Sequence, residues 1–123
     1  MALQISIRES ADVTILDLRG RLTINDDACE VLRSQLQGLL ANGARKFLLN
    51  LADVTQIDSS GISIVVKAYR SLHGQGGDLR LLRPSGHALE VLRTLHLLEM
   101  IPSFEEEALA LASFSSVGCL ARP

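Results

Sequence analysis

Apolar and polar positions along this chain change period several times, and each change predicts an element. Ile5 and Ile7 alternate with polar neighbours, the two-residue repeat of a short strand, and Glu9-Ser10-Ala11-Asp12 reads as a hairpin turn. Val13-Thr14-Ile15-Leu16-Asp17-Leu18 is apolar at nearly every position, as in a strand covered on both faces, and Gly20 is expected to end it. Ala28, Val31, Leu32, Leu36, Leu39 and Leu40 then recur at steps of three and four, which predicts an amphipathic helix with these six inward. Asn25 fits its cap, Asp26 and Asp27 suit its positive first turn, and Asn42-Gly43 suits its exit.

The alternation resumes with a strand from Phe47 to Leu51. A second helix, from about Ser60 to Leu72, puts Ile62, Val65, Val66, Tyr69 and Leu72 on one stripe. His73-Gly74-Gln75-Gly76-Gly77 reads as a turn, and Asp78 to Arg83 as a strand. Pro84-Ser85 introduces a third helix with Ala88, Val91, Leu92 and Leu95 inward. A short strand within Ile101 to Phe104 and a helix opening at Glu105-Glu106-Glu107 close the pattern, and from Ser113 periodicity is lost. A hairpin followed by alternating helices and strands means crossover units. The expected fold is α/β, one domain over residues 1–112 with a mixed sheet of four to five strands covered by about four helices. Residues 113–123 are expected to form a frayed tail.

Composition narrows the function classes. At 123 residues the chain has the length of one core, enough to bury roughly two-thirds of its unfolded surface. Apolar residues make up 47% of it but aromatics only 3%, so the core is aliphatic and there is little to stack on bases. A net charge of −2 lacks the basic footprint of a nucleic-acid binder. Two cysteines, Cys29 and Cys119, do not make a disulfide framework, and a reducing cytoplasm fits. The first residues lack the features of a signal peptide, and no apolar run reaches the roughly 18 to 20 residues that span a bilayer.

Candidate chemistry concentrates in Asp58-Ser59-Ser60-Gly61, between the strand ending near Leu51 and the helix-like run from Ile62. A hydroxyl there faces unpaired backbone N–H groups and the positive end of a helix dipole, where an anion such as a phosphate is favoured. Asp and Ser at this place also serve as ordinary helix caps, and residue type alone does not separate the two readings. Gly74-Gln75-Gly76-Gly77 follows a helix and lacks the Lys-Ser/Thr of a phosphate loop, so it reads as a cap and turn. His73, His87 and His96 have no carboxylate or cysteine at ligand spacing, so no metal site is expected. Asp58 replaces the first glycine of a hydrolase elbow, and no carboxylate pair stands out. The inventory therefore favours a binding or switching protein without a cofactor over an enzyme.

Ile57-Asp58-Ser59-Ser60-Gly61-Ile62 resembles the signature of the anti-sigma factor antagonists, stand-alone STAS domains of bacteria. Leu18-Arg19-Gly20-Arg21-Leu22, Leu49-Asn50-Leu51 with Val54, Gly76-Gly77 and Glu107-Ala108-Leu109 fall in the order expected of that family, over residues 4–112. The resemblance implies a protein-binding switch. Ser59 would be phosphorylated by the anti-sigma factor, a serine kinase of histidine-kinase-like ATPase fold, and restored by a serine phosphatase. The unphosphorylated form would hold the kinase and free a sigma factor. Asp58, Ser60 and Gly61 would complete the partner's footprint, Gly61 leaving room for another backbone. By analogy with such domains the chain is expected to be monomeric alone.

Two positions depart from the pattern. Thr23 follows Leu22 where many antagonists have an acidic residue, and it is expected to lie near Ser59 and bear on partner choice, with Asp26 or Asp27 compensating. His96 stands where relatives often have glycine, which predicts a strained but intact helix end. The alternative implied by the same resemblance is a docking subunit, in a lipid-export ATPase complex or a stress-sensing scaffold, without a phosphate switch.

Overall fold

In a computed structural model of the chain, residues 3–23 and 28–120 are described, 115–120 by backbone alone. The cap and first-turn roles expected of Asn25, Asp26 and Asp27 lie outside the described residues. Strand β1 (Gln4–Ser10) folds back on β2 (Val13–Leu22) in antiparallel register, Ser10 opposite Val13, so the turn is tighter than expected. Ala11 takes φ 55 in that turn. Then α1 (Ala28–Ala41), β3 (Lys46–Ile57), α2 (Ser59–Gly74), β4 (Asp78–Leu82), α3 (Gly86–Thr94), β5 (Ser103–Phe104) and α4 (Glu107–Leu120) follow. The sheet order is β1-β2-β3-β4-β5, with every pair after the first parallel.

This order decides the layering. Each step from β2 to β5 moves one place in the same direction, and right-handed crossovers then put α1, α2 and α3 on one face. Against them lie Leu16 and Leu18 of β2, Phe47, Leu49 and Leu51 of β3, and Leu79 and Leu81 of β4, all in one buried cluster with Leu32, Leu36, Ile62, Val65 and Leu92. The alternate residues Val13, Ile15, Leu48 and Leu82 face the other way and are covered by Ala110 and Phe114 of α4.

Several sequence expectations are corrected. Gly20 does not end β2: with φ 110 it lies where the β2–β3 register shifts twice, and pairing continues to Leu22 opposite Ile57. Val31 is 39% exposed, at the edge of the α1 stripe rather than in it. Leu95 is 51% exposed because α3 ends at Thr94 and Leu95 leaves the helical line as its C-cap. Helix α4 runs on past the expected boundary at 112, anchored by the buried ring of Phe114. That ring stacks on the guanidinium of Arg80, whose carbon is 4.3 Å from the ring centre.

Arg8 ties α4 to the sheet. Its Nε and Nη2 donate to the Asp17 carboxylate at 2.6 and 3.0 Å, and Nη1 and Nη2 donate to Glu107 at 3.1 and 2.8 Å. Asn50 Nδ2 donates to Asp17 at 2.7 Å. The Arg8 hydrogen bonds hold the Asp17 and Glu107 carboxyls below the usual carboxylate range.

Candidate functional site

The site lies where β2 and β3 end together. Because β3 stays paired through Ile57, Asp58 follows it directly with extended backbone (φ −120, ψ −174) and becomes the N-cap of α2. Its Oδ1 accepts from Gly61 N–H at 3.0 Å, its carbonyl from Ile62 N–H at 2.9 Å, and its own N–H donates to the Leu22 carbonyl at 3.3 Å. Ser59 is therefore the first residue of α2, and its side chain is exposed; Ser60 is half-buried. Their N–H groups belong to the first turn, which has no intrahelical acceptors. A negative charge on Ser59 Oγ would sit at the positive end of a sixteen-residue helix.

Gly61 proves to be a packing residue. It is buried, and a Cβ there would come 2.4 Å from the Leu22 carbonyl oxygen and 2.8 Å from Leu22 Cγ. The backbone for which it makes room is the end of β2 in its own chain, not that of a partner. Thr23 is also buried, at 9% exposure, and its Oγ1 has no hydrogen-bond partner among the described residues. The surface contact expected of Thr23 therefore gives way to a position beneath the surface, at the exit of β2.

Two neighbours were not foreseen. Cys29 Sγ donates to the Thr23 carbonyl at 3.4 Å, and its thiol is pushed up first by burial and then by the Asp58 carboxylate. It stays a protonated thiol at neutral pH. His87 Nε2 lies 3.2 Å from the carbonyl oxygen of Ile57 and ties the start of α3 to the residue before Asp58. Neither is signalled by local spacing, since each reaches the site from another element.

The remaining sequence candidates go elsewhere. Gln75, Gly76 and Gly77 close α2, with Gly76 at φ 81 and the Gly77 N–H on the Leu72 carbonyl at 2.7 Å. His73 packs against Tyr69 with the two rings tilted by 45° and lies 3.5 Å from Asp78, while His96 contacts Glu99 at 3.0 Å. Among the described residues no three His, Cys, Asp or Glu side chains gather as metal ligands, and no helix is long and apolar enough to cross a membrane.

An exposed serine heading a helix between two parallel strands is common to many α/β proteins, so the family rests on the whole chain. The model of the STAS domain matches residues 4–110. The chain belongs to the STAS domain family. This STAS domain is similar to TM1081 of Thermotoga maritima, with TM-score 0.83 and 24% identity over 89% of this chain and 92% of that one. An anti-sigma factor antagonist from Mycobacterium paratuberculosis matches at TM-score 0.80 and 15% identity, over 91% and 93% of the two chains. The Bacillus cell fate determinant SpoIIAA, solved in unphosphorylated and phosphorylated forms, matches in the latter at TM-score 0.71 and 22% identity, over 90% and 99%. At these identities the likeness is one of fold.

Proposed function

We propose that this STAS domain is an anti-sigma factor antagonist whose grip on its partner is set by phosphate on Ser59. The observation that carries the reading is the exposed Ser59 hydroxyl on the first residue of α2, capped by Asp58. The fold it shares with SpoIIAA, an antagonist with a phosphorylated form, supports it. In this reading the unphosphorylated domain works in the cytoplasm as a monomer, binds an anti-sigma factor that is also an ATP-dependent serine kinase, and so frees a sigma factor. The kinase transfers the γ-phosphoryl group of ATP to Ser59 Oγ and then lets go. A serine phosphatase resets the domain.

Charge is enough to drive release. Phosphate adds about −1.5 to −2 charges and three acceptor oxygens, which the head of α2 accepts without refolding. A partner seated over the same spot would instead bury a dianion beside the Asp58 carboxylate, and each tenfold loss of affinity needs only about 1.4 kcal/mol. The test is incubation with candidate kinases and ATP, read by intact mass. One phosphate is expected on the wild type and none on Ser59→Ala. Ser59→Asp is expected to bind the cognate kinase at least ~10-fold more weakly by calorimetry. Equal binding would sink the charge mechanism, and no phosphate with any candidate would favour the docking-subunit alternative.

A further inference from the structure

A groove runs between α1 and α2, on the surface away from the sheet. Its walls are Arg33, Leu36, Gln37 and Leu40 of α1 and Ile64, Lys67, Ala68 and Ser71 of α2. Both sets repeat at steps of three, one and three, so each helix offers one face over about two turns, roughly 10 Å of axis. The floor is aliphatic and the charged side chains at the rim are cations. Arg33 is held by Glu30 on its own helix, whereas Lys67 is exposed and has no partner among the described residues.

We infer that this groove seats an amphipathic helix of a partner protein, with its apolar stripe on Leu36, Leu40, Ile64 and Ala68 and a flanking Asp or Glu on Lys67. The shape argues for a helix. The groove's free volume is about 240 Å³. That is below the roughly 300–1,000 Å³ of small-molecule sites, yet it suits a few protruding side chains spaced one turn apart. The charge selects the partner, because a basic helix would meet Lys67 with like charge. The groove begins about 7 Å along α2 from Ser59, so it stays open whichever state Ser59 is in. The inference goes beyond the Ser59 reading and does not depend on it.

The experiment is an NMR titration of the full 15N-labelled chain with a synthetic helical peptide bearing Leu at i, i+3, i+4 and i+7 between Glu residues. Saturable shifts are expected at the amides of Leu36, Leu40, Ile64 and Ala68. A peptide with Lys in place of Glu is expected to bind at least ~10-fold more weakly. Lys67→Glu should cost the acidic peptide about the same factor and Lys67→Ala less, while the spectra report that both variants remain folded. Ser59→Asp should leave the affinity within about twofold, as expected for a site outside the first turn of α2. Absence of saturable shifts, equal binding of the basic peptide, or an undiminished Lys67→Glu variant would overturn the inference. Decanoate shifting the same amides as strongly as the peptide would reassign the groove to a small amphiphile. Loss of binding in Ser59→Asp would show one continuous site in place of two.

Discussion

Gly61 has a steric role that its place in Asp58-Ser59-Ser60-Gly61 does not announce. A methyl group there meets the backbone oxygen of Leu22, which cannot swing aside as a side-chain end could. Gly61→Ala should therefore destabilise the domain by roughly 1–3 kcal/mol. Urea unfolding with an unchanged slope would measure it, and unaltered stability would mean that α2 can shift freely against β2. His96 is the opposite case: it adopts φ 60, ψ 24 without being glycine, and the left-handed helix end expected from its position is present. What was legible at this scale was local. Cap, dipole and apolar period together put Ser59 at the head of a helix. Gly61, Thr23, Cys29 and His87 were misread or missed because their neighbours come from other parts of the chain.

At the scale of elements, α1, α2 and α3 were legible because each shows a stripe against polar surroundings. Helix α4 was harder. Ala108, Leu109, Ala110, Leu111 and Ala112 are small or apolar all round, so no stripe shows that Ala110 is buried and Leu109 is 58% exposed. The missing signal is Phe114, which fixes the helix from beyond the apparent boundary. It is 4% exposed and covers Arg80, which is itself 5% exposed with Nε unpartnered among the described residues. Phe114→Ala should cost about 3 kcal/mol through the cavity and the lost stacking. Thermal unfolding would show it as a clear fall in Tm, whereas a loose tail would give no change.

Across the whole molecule, the Arg8 network joins the first strand to the last helix. Carboxyls held below their usual values add stability at pH values above the ordinary carboxylate range. They lose it as acid protonates them through the lowered values. Asp17 and Glu107 should thus stabilise the domain fully at pH 7 and progressively less below about pH 4.5. Because these groups are partly solvated, Arg8→Ala should cost only about 1 kcal/mol at pH 7. The gap from wild type should narrow between pH 7 and about pH 2, as acid protonates the two carboxyls through their lowered values and removes the charge that Arg8 binds. Denaturant midpoints at the two pH values decide it, and a gap that persists in acid would mean that Arg8 acts through packing.

The seam between the Leu22 carbonyl and the first turn of α2 has a consequence for the phosphorylation of Ser59 proposed above. A serine on a slack segment can be drawn out and threaded into a catalytic cleft. Here Asp58 hydrogen-bonds the Leu22 carbonyl and Gly61 packs against it, so drawing Ser59 out would break contacts with the end of β2. A kinase of Ser59 would have to offer a hollow that fits over the blunt end of a folded rod, and so would recognise the domain's shape before its sequence.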